Sequence, residues 1–174
     1  SFLSMSKYEV ADSLCRLSLD DWRRFPGRHD AEIAGADLVR ADIAIEAART
    51  AEAESLARGS LTTYRSLGSA YEAEALKSLE ALAAAVTNQR PESAEAESLA
   101  KAGVELCGRI HGPDSREMST ALDILGYVHM QHGDAELARS HFEEAIRIAS
   151  SRDGPEHPRT LHIMGNLGEI LSLL

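Results

Sequence analysis

Along this 174-residue chain, apolar side chains recur at three- and four-residue spacings over nearly the whole length. That is the spacing of one face of an α-helix, not the alternation of a strand. From Ser119 to Gln131 the face is marked by Leu122, Leu125, Val128 and Met130. His132-Gly133-Asp134 interrupts it, with Gly133 suited to the left-handed position after a helix and Asp134 to the N-cap of the next. The pattern resumes from Ala135 to Ser151 with Leu137, Phe142, Ile146 and Ile148 expected inward. Gly154-Pro155 closes it, because proline cannot continue a helix, and Pro158 suits the first turn of another. Read this way, the chain predicts eight helices, near 5–24, 29–46, 50–67, 70–88, 92–110, 115–131, 135–151 and 157–173. The boundary at 46–50 rests on Ala47-Ala48-Arg49, which holds no breaker, so the two helices there also read as one.

The helices come in a repeating unit. The heptapeptide AEAESLA at 51–57 returns at 94–100, an offset of 43, and Gly112-Pro113-Asp114 is echoed by Gly154-Pro155-Glu156 at 42. Val10-Ala11-Asp12-Ser13-Leu14 aligns with 52–56, and Leu137 to His141 with 95–99, both at 42. Gly27, Ser69, Gly112 and Gly154 then fall at equivalent turns, which divides a single helical-repeat domain over 1–174 into units at 1–27, 28–69, 70–111, 112–153 and 154–174. Self-similarity at such a period is the mark of an array of stacked helix pairs. The start at Ser1 and the apolar close, Ile170 to Leu174, read as a piece of a longer chain.

Small residues hold fixed places within each unit. Gly126, Ala138 and Ala145 are spaced by 12 and 7; Ala84, Ala96 and Gly103, and Ala41, Ala53 and Ser60, repeat both spacings. Ala11 and Ser18 supply the latter part of an earlier unit, and Gly168 opens a later one. Such residues let two helices approach closely where they cross. With these spacings the chain resembles the tetratricopeptide repeat family. The 42-residue period and the turn Gly154-Pro155-Glu156-His157-Pro158, leading to Asn166-Leu167, resemble its kinesin light chain variety. In the second helices the family's aromatic is present as Phe142, with Ala100 and Ala57 at the matching places. Asn occurs once, as Asn166, where earlier units carry Ile124, Leu82 and Val39.

The resemblance implies an all-α fold, an α-solenoid (right-handed superhelix) of antiparallel helix pairs. It implies a scaffold that binds a partner peptide or domain on a concave face lined by the first helix of each pair. The family's groove positions fall here on Thr120, Asp123, Ile124, Tyr127, Met130 and Gln131. In the preceding unit they fall on Ser78, Ala81, Leu82, Ala85, Asn88 and Gln89, and in the last helix on His162, Gly165, Asn166 and Glu169. Of these, Asn88, Gln89, Asp123, Tyr127, Gln131, His162 and Asn166 are the expected partner-binding residues.

Charge narrows the partner. The net charge of −10 and the lack of any basic run longer than Arg23-Arg24 argue against nucleic acid and leave room for a basic partner. No apolar run is long enough to cross a membrane and no secretory leader is evident, so no membrane partner is expected. Cys15 and Cys107 lack metal or redox spacing and lie in different units, so they are expected to stay unpaired in a reducing compartment, the cytoplasm. His129, His132 and His141 invite a metal reading. The i, i+3 pair has no acidic or Cys ligand to complete it, however, and surface or inter-helix histidines are expected instead, as is turn chemistry at His157-Pro158. No phosphate loop, dinucleotide fingerprint or nucleophile elbow is present, so neither catalysis nor a cofactor is expected. The alternative to a binding groove is self-association, through an apolar C-terminal edge formed by Leu167, Ile170, Leu171, Leu173 and Leu174.

Overall fold

The structure, a computed structural model, describes residues 2–24 and 29–172. Among them it contains eight α-helices and no strand: α1 (Phe2–Arg24), α2 (Asp30–Glu46), α3 (Thr50–Leu67), α4 (Glu72–Gln89), α5 (Ala94–Ile110), α6 (Arg116–His132), α7 (Ala135–Arg152) and α8 (Pro158–Leu171). A 3-10 turn, Ser69–Tyr71, precedes α4 and replaces the first residues of the helix expected from 70. The C-terminal residues 173 and 174 of the last expected helix lie outside the described residues. The chain divides into two compact units, residues 1–85 and 86–174.

Local chemistry explains the boundaries. Ser93 and Ser115 cap α5 and α6, their hydroxyls accepting from the N–H of Glu95 at 3.2 Å and of Met118 at 3.0 Å. These bonds satisfy donors that a helix start leaves without a partner. At α8 His157 does the same, its Nδ1 accepting from the Arg159 N–H at 3.2 Å, with Pro158 in the first turn. Asp134 occupies the N-cap of α7 as expected, yet its side chain makes no capping bond. Its carboxylate instead approaches His129 Nδ1, at 3.6 Å.

Helix α6 ends on Gly133 at φ 79°, where the Asp134 N–H wraps back to the His129 carbonyl at 2.9 Å. The break between α2 and α3 is built alike without a glycine. Ala48 is left-handed at φ 55°, and the Arg49 N–H returns to the Ala44 carbonyl at 2.8 Å. Two helices are therefore present where the sequence allowed one. A Cβ in that conformation costs roughly 1–2 kcal/mol, while glycine gives back about 0.4–1 kcal/mol in unfolded-state entropy. Ala48→Gly is thus expected to stabilise the protein, by up to about 1 kcal/mol in urea denaturation. A loss of stability would show that Ala48 is not left-handed.

In the first unit α2 and α3 pack closely, with Ala41, Ala53 and Ser60 buried; Ala44, Ala53 and Ala85 form one apolar cluster. The Ser60 hydroxyl donates to the Ala34 carbonyl on α2 at 2.9 Å and lies 3.0 Å from the Ser78 hydroxyl. Arg40, on α2, bridges Asp12 of α1 at 2.8 Å and Glu52 of α3 at 3.3 Å.

In the second unit α6 and α7 make the corresponding pair. Gly126 is buried, Ala138, Phe142 and Ala145 are 0% exposed, and Ser119 donates to the Ala145 carbonyl at 3.0 Å. Ser119 precedes Gly126 by the same seven residues that separate Ala34 from Ala41. One inter-helix bond thus recurs with its donor on the opposite helix. Leu122, Leu125, Val128 and Ile148 are buried, and Met130 and Ile146 half-buried. Leu137 contradicts its expected inward place, being 51% exposed. Its neighbour Ala138 points to the crossing, and the next residue along a helix is rotated by about 100°.

Candidate functional site

The seven expected partner-binding residues all lie in the second unit, on the last turn of α4 and on α6 and α8. Two cross-helix bonds organise four of them. The Tyr127 hydroxyl, from α6, donates to Asn88 Oδ1 at 3.0 Å, while Asn166 Nδ2, from α8, donates to Asp123 Oδ1 of α6 at 3.0 Å. His162 Nε2 stands 4.0 Å from Asp123 Oδ2. Gln89 is turned aside, its Oε1 accepting from Arg90 Nη1 at 3.0 Å, and Gln131 is half-buried in the last turn of α6.

The two bonds set the remaining hydrogen-bonding capacity. With Oδ1 engaged, exposed Asn88 keeps its amide donors; with Nδ2 engaged, Asn166 keeps its carbonyl acceptor. Asp123 has a side-chain exposure of 18%. Burial raises its carboxyl above the usual range, and the Asn166 hydrogen bond and the His162 and Arg159 charges oppose this only in part. The Tyr127 phenol is likewise pushed up, by burial first and then by the Glu169 carboxylate.

Not every groove position carried over from the family is open. Ser78, Ala81, Leu82 and Ala85 are buried. They are small or apolar and close-packed, and Ser78 spends its hydroxyl on the Glu74 carbonyl at 3.0 Å. Thr120, Ile124 and Met130 are half-buried, and Gly165 and Glu169 exposed. The proposed apolar C-terminal edge is also altered. Ile170 is buried, Leu167 half-buried and Leu171 exposed, while Leu173 and Leu174 lie outside the described residues.

The histidines form a structural cluster. His129 is buried and stacks on His141 with ring centroids 5.3 Å apart, and His132 meets it edge-on at 6.4 Å. Burial, with His129 and Lys101 nearby, lowers the His141 pKa. Among the described residues no three His, Cys, Asp or Glu side chains are grouped to hold a metal ion. Cys107 is buried, Cys15 half-buried, and neither forms a disulfide. No described helix is long and apolar enough to cross a membrane.

The Asp123–Asn166 pairing was within reach of the sequence, since the two lie 43 residues apart, close to the spacing at which the sequence repeats itself. The Tyr127–Asn88 bond, at 39, carried no such signal.

Comparison with known proteins agrees with this architecture. The tetratricopeptide repeat family profile matches residues 77–151 and 117–174. No curated protein matches the chain significantly. Among solved structures, the crystal structure of BtubC (BKLC) from P. vanneervenii superposes with a TM-score of 0.75 at 19% sequence identity, over 95% of this chain. The chain spans 66% of the length of that protein. At this identity the likeness concerns the fold alone.

Proposed function

The chain belongs to the tetratricopeptide repeat family, and from that membership we propose that it is a scaffold holding a peptide segment or domain of another protein against Asn88, Gln89, Asp123, Tyr127, Gln131, His162 and Asn166. Repeats of this family are generally protein–protein interaction modules, and the all-helical repeat fold is typically non-catalytic. The finer reading is a concave groove in an array of 42-residue units of the kinesin light chain variety, with boundaries at 28–69, 70–111 and 112–153. It works without a cofactor in a reducing cytoplasm.

One observation carries the reading. Polar side chains from three first helices converge on one surface and are held there by the Tyr127–Asn88 and Asn166–Asp123 bonds, with amide groups to spare. Side chains positioned before a ligand arrives lose less entropy when it binds. Self-association through the C-terminal edge is less favoured, because Ile170 is spent on the interior.

Tyr127→Ala tests the groove. The bond to Asn88 makes Tyr127 a strut between neighbouring first helices, so binding is compared per folded molecule, by calorimetry against a partner captured from the native host. The expected result is a loss of at least about 1 kcal/mol of affinity, since buried tyrosines are enriched among residues that dominate interfaces. Unchanged affinity beside a lowered melting temperature would make Tyr127 a packing residue and move the partner to another surface.

A further inference from the structure

We propose, building on the groove reading above, that the segment held there is basic, with a Lys or Arg side chain of an extended partner chain laid over the Tyr127 ring beside Asp123. Three observations point to this occupant.

The first is an acid with too little compensation. Asp123 is mostly buried, yet among the described residues no Lys or Arg lies within ion-pair distance of it. Its only charged neighbour at that range is His162, at 4.0 Å, 69% exposed on its side chain and carrying charge only when protonated. Arg159 stands beyond that range, with its Nη2 donating to the Arg116 carbonyl at 3.0 Å, and acts on Asp123 only from a distance. A carboxylate stripped of water without a cation is costly, and an arriving ammonium or guanidinium supplies what the protein leaves out.

The second is the ring beside it. Tyr127 is half-buried and pinned by its hydroxyl to Asn88 at 3.0 Å. Its orientation is therefore set before a ligand arrives. Glu169, exposed and in no ion pair among the described residues, lies on α8, the helix that also carries His162 and Asn166. Asp123 precedes Tyr127 by four residues on α6, the spacing that puts two side chains on one helix face, and an aromatic ring beside a carboxylate attracts a cation through both its quadrupole and the neighbouring charge.

The third is the field around the site. None of the seven groove residues is a lysine or arginine, and the chain carries a net charge of −10. That field draws basic partners and repels acidic ones.

The test uses the full chain and two fluorescent twelve-residue peptides of one extended sequence, the first with three lysines spaced two residues apart, the second with glutamines in their places. Fluorescence anisotropy is read for the native protein, Asp123→Asn, Tyr127→Leu and a control, Glu143→Gln. The control removes an exposed carboxylate of α7 that pairs with Arg139. Asp123→Asn keeps an oxygen that can accept from Asn166, so it tests charge with little change of shape. The expected result is at least tenfold tighter binding of the lysine peptide, a five- to tenfold loss in Asp123→Asn and in Tyr127→Leu, and no change in Glu143→Gln. Equal binding of both peptides, or of neither, overturns the basic partner. An equal loss in Glu143→Gln overturns it too, since the attraction would then be diffuse. If both peptides bind equally but Tyr127→Leu weakens both, the groove reading survives its charge assignment. If neither groove substitution affects either peptide, the groove reading falls as well.

Discussion

Phe142→Ala is expected to destabilise the second unit by about 3–5 kcal/mol, as truncation of a fully buried aromatic does when its surroundings cannot close the cavity. The ring is 0% exposed and lies on the Gly126 backbone: a Cβ at that position would stand 2.8 Å from two of the ring carbons. Ala138 and Ala145, also fully buried, have too little side chain to fill the space.

The same contact makes a sharper companion prediction. In a helix interior alanine is favoured over glycine by roughly 0.5–1 kcal/mol. In the native protein Gly126→Ala should nevertheless destabilise, because the added methyl meets a ring with nowhere to move. In the Phe142→Ala background the obstacle is gone, and Gly126→Ala should stabilise. Urea denaturation followed by circular dichroism measures all four proteins, and their coupling isolates the contact. If Gly126→Ala has the same sign in both backgrounds, α6 and α7 do not cross there.

Ala138→Leu is expected to cost about 1–3 kcal/mol by overpacking the same crossing from the other helix. Its neighbour provides the control. Arg139 is exposed, and its ion pair with Glu143, 2.8 Å and four residues apart, is of the kind that contributes little. Arg139→Ala should change stability by no more than about 0.5 kcal/mol. Equal shifts of the melting curve for the two would mean that the helix is rotated from the position described. The pair also accounts for Leu137, whose exposure at 51% follows once Ala138 is the residue at the crossing.

Most of the architecture was legible in the order of residues. Apolar spacing marked the helices, Gly133, Gly154 and Pro158 their limits, and the spacings of Gly126, Ala138 and Ala145 the place where each pair meets. These signals are short-range: a helix is specified by contacts within one turn, and a repeat copies its instructions every unit. The end of α2 at Ala48 escaped this reading because alanine signals helix. What turns the chain there is a backbone bond from Arg49 to the Ala44 carbonyl, held by the packing of α3 on α2 and not by a local preference.

The candidate site divides along the same line. That Asp123, Tyr127 and Asn166 share the first-helix face of their units follows from register alone. That Tyr127 reaches Asn88, that Asn166 restrains Asp123, and that Ser78, Ala81, Leu82 and Ala85 are closed off while Asn88 stays open could not be read one residue at a time. Burial and hydrogen bonding between helices depend on the distance of approach, and that distance depends on the side chains of both partners at once. Leu137 and Phe142 look alike in a hydrophobic pattern. Only the geometry of the crossing, with a glycine beneath one of them, places Phe142 in the core and Leu137 in water.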